Sequence, residues 1–251
     1  MKHTFLPSIL TIFALALSIV ISGLFSISVV SSVSAGEMPA DKTAPDGFVS
    51  LFDGKTLTGW DGNPDYWSVQ NGCITGLSTD ANPIKYNTFL ILKNVEVADF
   101  ELLVDFCLTN HNSGIQYRAF MNNDPNKPWS MGGYQADIAG APYMGIVYGE
   151  GYRGILCERG QQTTINKDGR PVVTGKVGDK DGLLEKIDLN GWNTYKIVAK
   201  GNVCTHYIND VKVAETIDED DAAIFKGLLG FQLHVGPAMK VEFKNIFLKN
   251  L

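Results

Sequence analysis

The chain has no concentration of positive charge. Its 21 Lys and Arg face 27 Asp and Glu, a formal net charge of −6, and the basic residues cluster nowhere. An acidic chain without a basic stripe argues against nucleic acid and anionic membrane surfaces as partners. Cysteine is scarce. Cys73, Cys107, Cys157 and Cys204 each sit in a separate apparent strand, with no CxxC and no Cys/His spacing of a structural zinc. They read as buried free thiols, with one disulfide as the alternative in an exported chain. GxSxG, HExxH and a nucleotide-binding loop are absent, which removes the commonest signatures of serine hydrolases, zincins and NTP-dependent enzymes. No amphipathic helical pattern of about ten residues appears; only 179–188 offers a helical turn. Beyond the first segment, no run is apolar enough to span a bilayer.

That first segment has its own logic. Lys2 gives a positive start, residues 9–30 are apolar with interspersed Ser, and Val33-Ser34-Ala35 offers the small residues that a signal peptidase reads. The expectation is a signal peptide over 1–35, a mature start at Gly36, and export to the periplasm or the extracellular space. An uncleaved anchor is the alternative. Residues 36–46 read as a polar linker. Residues 47–251 then form one domain, in a chain that is 45% hydrophobic with 26 Gly.

What remains is strands. Alternating apolar residues recur every ~8–12 residues with turn signals between them, the pattern of a β-sandwich or barrel. Asn71-Gly72 and Gly201-Asn202 mark hairpins. The end of the chain is the most informative stretch, LLGFQLHVGPAMKVEFKNIFLK over 228–249. Leu229, Phe231, Leu233 and Val235 fall on one face, and Gln232 and His234 on the other. Gln and His are an unusual choice for a plain solvated face. Two further strands carry polar residues at i, i+2: Gln116 with Arg118, and Gln135 with Asp137.

If the three pairs share one concave sheet, a cleft collects a carboxylate, an imidazole, a guanidinium and amides. Such groups hydrogen-bond sugar hydroxyls, while aromatic rings stack on sugar faces. Tyr134, Tyr143, Tyr148, Tyr152 and Trp129 are candidates for the rim, and 139–158 adds Glu150, Arg153 and Glu158. Plainer readings compete: an Arg118–Asp137 surface ion pair, a buried structural His234, and a solvated Glu150. His111 reads as a turn residue, His206 as structural or on a sheet surface, Trp60 and Trp67 as core, and 218–221 as a solvated acidic loop.

Six motifs carry a resemblance: GFVSLFDGKTLTGW (47–60), NSGIQYR (112–118), GYQADI (133–138), GYRGILCERG (151–160), WNTYKIVAKGN (192–202) and GLLGFQLHVGPAMKVEFKNI (227–246). In this order they resemble the 3-keto-disaccharide hydrolase domain family, long called DUF1080, over nearly all of 47–251. The chain departs from it at Asn209-Asp210, where the family often has an Asn-Gly turn. The resemblance implies an all-β, two-sheet antiparallel jelly-roll β-sandwich, similar to concanavalin A-like folds, with ligand on its concave face. It also implies an exported enzyme that cleaves the glycosidic bond of 3-keto-glycosides. The C3 ketone acidifies the C2 hydrogen, a base removes it, the enolate expels the C1 substituent, and water adds.

Asp137 or His234 would be the base, and Arg118 or Arg153 would stabilise the oxyanion, unless a divalent metal held by Asp137 and His234 does so. Glu150 is a second carboxylate for the site; Asp137 with Glu150 or Glu158 would also serve an ordinary glycosidase. Gln116, Tyr134, Gln135, Arg153 and Gln232 would bind the sugar. No cofactor is certain, and hydrolase and lyase outcomes both stay open. A non-catalytic carbohydrate-binding jelly roll is the alternative, since it needs the same face without the base.

Overall fold

The computed structural model describes Met1 and residues 37–251. The stretch read as a signal peptide lies, Met1 apart, outside the described residues. The strands run β1 (Val49–Ser50), β2 (Trp60–Asp61), β3 (Trp67–Gln70), β4 (Cys73–Leu77), β5 (Thr88–Leu92), β6 (Phe100–Thr109), β7 (Asn112–Met121), β8 (Met131–Ala139), β9 (Val147–Glu150), β10 (Gly154–Cys157), β11 (Gln161–Ile165), β12 (Pro171–Lys176), β13 (Trp192–Lys200), β14 (Val203–Ile208), β15 (Val211–Asp218), β16 (Leu228–Leu233) and β17 (Lys240–Asn250). One short helix, α1 (Lys180–Leu184), begins where Asp179 accepts a hydrogen bond from the Gly182 N–H.

Two sheets result. The larger has the order β12-β11-β15-β14-β13-β6-β17-β4-β3, with β1 also paired to β17; the smaller has the order β10-β9-β8-β7-β16-β5-β2. The pairing is antiparallel except between β11 and β15. The fold is thus the expected all-β two-sheet sandwich. The core lies between the sheets. Phe231 of β16 stacks on Phe243 of β17 at 4.1 Å and on Trp60 at 5.1 Å, and burying each such ring contributes about 2–3 kcal/mol. All four cysteines are buried and free.

The two sheets bury different things. Strand β13 alternates buried and half-buried residues, one face in the core and one toward water. Strand β8 is buried at all nine positions. Its outer face therefore has a cover of its own. Part of that cover is a small apolar cluster of Phe89, Ile91, Ala119 and Met131, with Trp129 packed against it. The rest is polar and forms the site.

Local geometry decides which side chains reach that outer face. The β7–β8 register shifts between Tyr117 and Phe120, and Arg118 sits in the bulge at φ 44°. In the last strand a similar shift, between Lys244 and Phe247 with Asn245 at φ 49°, explains why the apolar pattern changes phase after Phe243. Val235, expected on the apolar face, follows the end of β16 and is exposed. Asn209-Asp210 turns with both residues left-handed, at φ 51° and 63°, so Asp210 adopts the conformation that the family's Gly takes freely. The stretch read as a linker is docked: Lys42 pairs with the buried Asp105 at 2.8 Å and Lys244 donates to the Pro39 carbonyl.

Candidate active site

On the outer face of the smaller sheet, β8 presents Gln135 and Asp137, β7 presents Gln116, and β16 presents Gln232. Gln116 pairs directly with Gln135, and Gly114 with Asp137; directly paired residues share a face. Above them opens a cleft of about 470 Å³, whose lining includes Asn87, Asn112, Gln135, Asp137, Glu150 and His234. Gly114 is needed where it stands: a Cβ there would lie 2.6 Å from the Gln135 side chain. That vacancy lets Gln135 lean over and donate from Nε2 to Asp137 Oδ1 at 2.7 Å.

Asp137 is the chemically unusual group. It is 5% exposed and has no cation within ion-pair distance among the described residues. Burial pushes its carboxyl up to about 7; the Gln135 hydrogen bond opposes this and the charge of Glu150 adds to it. Glu150 is held by Asn87 Nδ2 at 3.0 Å and by Gln232 Nε2 at 3.2 Å. His234 Nδ1 lies 2.7 Å from the Val235 carbonyl, which leaves Nε2 as its free ring nitrogen if Nδ1 carries the proton.

Five amide atoms here lack a partner: both ends of the Gln116 amide and the carbonyl oxygens of Asn112, Gln135 and Gln232. Each buried polar atom left unmet costs about 1–3 kcal/mol. Their gathering on one face marks a surface built to meet hydroxyl groups or water.

Several of the expected residues lie elsewhere. Arg118 is buried in its bulge, donating to the Ala98 carbonyl at 2.8 Å and the Gly201 carbonyl at 2.7 Å and pairing with Asp99 at 3.0 Å. It neither meets Asp137 nor reaches the cleft. Tyr134 follows the strand alternation onto the core face, where it stacks on Tyr117 at 5.7 Å and hydrogen-bonds Asp218. Arg153 lies over Tyr152 at 4.5 Å and pairs with Asp218 at 2.5 Å and Asp220 at 3.3 Å. Asp218 is consequently buried, not part of a solvated loop. Neither arginine is positioned to stabilise an oxyanion in this cleft. Glu158 pairs with Lys180, and Trp129 belongs to the apolar cluster, its indole N–H directed to Asp61.

Other residues were not expected. His111, read as a turn residue, is indeed left-handed at φ 66°, yet its Nε2 comes within 3.1 Å of His234 Nδ1. Asn87 joins the lining without any local signal, and Asn112 joins it from the head of the NSGIQYR motif. His206 is in the core, between the Tyr117 hydroxyl at 2.9 Å and the Tyr195 hydroxyl at 3.2 Å, where burial pushes it down to about 3. Among the described residues no three His, Cys, Asp or Glu side chains gather to hold an ion. The donor set thus does not fit the alternative of a divalent metal held by Asp137 and His234.

A β-sandwich with an amide- and carboxylate-floored cleft on one outer face defines a carbohydrate-active class of domain. The particular family follows from the sequence. The profile of the 3-keto-alpha-glucoside-1,2-lyase-like domain matches residues 47–249, and the chain belongs to that family. No curated protein matches the chain. Among solved structures, a proposed glycosyl hydrolase from Parabacteroides distasonis is 19% identical, with a TM-score of 0.55 over 84% of this chain and 100% of its own. A second from the same organism is 20% identical, with a TM-score of 0.53 over 81% and 99%. A Bacillus subtilis protein of unknown function with a galectin-like fold is 10% identical, with a TM-score of 0.50 over 77% and 90%. At these identities the likeness is one of fold.

Proposed function

We propose that the domain cleaves the glycosidic bond of 3-keto-glycosides by elimination, with Asp137 as the base. The observation that carries this reading is Asp137 itself: a buried carboxyl without a cation, raised to about 7 and set among unmet amides. A base is most effective near the working pH, and this one holds a large ionised fraction at neutrality. The Asp137 carboxylate takes the proton from C2, next to the C3 ketone. The electron pair forms the enolate and then expels the C1 oxygen, which leaves with a proton as the free alcohol. His234 is the candidate donor of that proton: as the imidazolium, with its Nδ1–H held by the Val235 carbonyl, it gives the Nε2 proton to the leaving oxygen and returns to the neutral form. Gln135 holds the carboxylate in place, and the amides of Gln116 and Gln232 with Asn112 meet the hydroxyls of the sugar. Stopping there makes a lyase; addition of water across C1 and C2 completes net hydrolysis. The N-terminal sequence supports export, and the substrate is then an extracytoplasmic glycoside.

The test is incubation with a chromogenic 3-keto-glucoside and with 3-keto-trehalose. Wild type should release the alcohol from both, and Asp137→Asn should lose about 10²–10⁴ of the rate. Sugar binding without turnover by wild type would overturn the reading and leave a carbohydrate-binding module. The first product decides between lyase and hydrolase: a C1–C2 unsaturated ketose marks elimination without hydration.

A further inference from the structure

The cleft floor changes character across the sheet. Register places Ile155 of β10 opposite Tyr148 of β9, Tyr148 opposite Gln135 of β8, and Gln135 opposite Gln116 of β7. The four side chains form one row on one face, two apolar or aromatic and two amide. Tyr143 joins the apolar end from the 140–146 turn, and Ile146 and Gly154 complete it. This end leaves large apolar groups in water: Tyr143 is 51% exposed and Ile155 43%.

The turn is held in place from below. The buried Arg159 guanidinium donates to the Ala141 carbonyl at 3.0 Å and the Met144 carbonyl at 2.5 Å, and Met144 is itself in the core. The Tyr143 ring is therefore carried on a braced support. Aromatic rings stack on sugar faces as well, but a second sugar also needs several hydrogen-bonding groups for its hydroxyls, and the side chains at this end supply two phenol hydroxyls. An aromatic ring needs flat apolar contact, which Tyr143, Tyr148 and Ile155 provide.

Resting on the reading that the sugar ring sits at Asp137, we infer that the β9–β10 end is the leaving-group subsite and that it favours an aromatic aglycone over a second sugar.

The test measures binding by calorimetry to the whole protein carrying Asp137→Asn, which keeps the ligands intact. The probes are the 3-keto forms of phenyl α-glucoside, methyl α-glucoside and trehalose. The phenyl compound should bind about tenfold more tightly than the methyl compound. Adding Tyr143→Ala should shrink that gap to about threefold or less, and Tyr143→Phe should preserve it. Equal affinities, failure of the phenyl compound to bind, or a gap that survives Tyr143→Ala overturns the inference. So does an equal dependence of the trehalose compound on Tyr143, which would make this end a sugar subsite. Turnover of the same three ketones by wild type is scored separately: its absence sinks the elimination reading, while the phenyl-over-methyl gap is read from binding alone.

Discussion

Asp137 and Asp218 are both almost fully buried, 5% and 3% exposed, and they were built for opposite purposes. Asp218 is met by the Arg153 guanidinium at 2.5 Å and by the Tyr134 hydroxyl, and Tyr152 stacks behind the arginine. Asp137 is met by one neutral amide. Burial of a carboxylate costs several kcal/mol unless a partner offsets it. The first aspartate has that partner and fastens β15 to the 151–153 turn. The second lacks one and stores the cost as proton affinity. Burial alone therefore says nothing about role; the company a charge keeps does.

The sharpest test of this contrast is to neutralise Asp137. Asp137→Asn should leave the fold as stable as wild type or more so, because the uncompensated charge is gone, while turnover of a 3-keto-glycoside falls about 10²–10⁴-fold. Paired denaturant melts and initial rates check it. A loss of stability beyond about 1 kcal/mol would place Asp137 with Asp218 as a structural group.

The opposite outcome is expected at the other aspartate. Arg153→Leu strands Asp218 in the core and should cost about 3–5 kcal/mol, read as a lower denaturation midpoint. Substrate binding should change little at matched folded concentration, because Arg153 is not among the residues lining the cleft. An unchanged midpoint with lost binding would return Arg153 to the site.

That reversal shows where sequence reading runs out. The sandwich was legible because alternation and turn residues are local. Gln135 with Asp137 was legible for the same reason, since a period of two holds along an unbroken strand, and His234 keeps that period one residue past the end of β16. Arg118 broke the rule because the β7 bulge, unannounced by any glycine at that position, rotates it off the face that Gln116 occupies. Tyr134 cannot share a face with its neighbour Gln135, because adjacent strand residues point to opposite faces. Arg153 and Asp218 are 65 residues apart, and His111 and His234 are 123 apart. Only the tertiary fold joins such pairs.

Acid–base behaviour separates the two kinds of burial further. The Asp137 carboxyl rises from an ordinary 3.8 to about 7 on folding, so the folded state holds its proton more tightly. Its contribution is therefore present below about pH 4 and is lost as pH climbs toward 7, by an amount on the order of a few kcal/mol. His206 works the other way. Its ordinary 6.5 falls to about 3, so its neutral form is favoured on folding and stability drains away as pH drops through that window. Melts of wild type against Asp137→Asn across pH 4 to 8 isolate the first effect: the wild-type curve should fall relative to the variant's. Curves that stay parallel would mean the carboxyl titrates normally.

The smallest change tests the support of Asp137. In Gly114→Ala the new methyl group would stand 2.6 Å from the Gln135 side chain. No left-handed backbone opposes the substitution, so the amide is what must yield. Displaced from Asp137, it no longer stabilises the carboxylate, and the carboxyl should titrate higher still. The pH–rate profile of Gly114→Ala should shift to higher pH with about a tenfold loss at neutrality, while stability moves by about 1 kcal/mol. Gln135→Ala should reproduce the profile shift without the crowding, because both variants remove the same hydrogen bond. A shift in Gly114→Ala that Gln135→Ala fails to reproduce would mean that space at the cleft floor, and not the amide's hold on the carboxylate, is what the glycine protects.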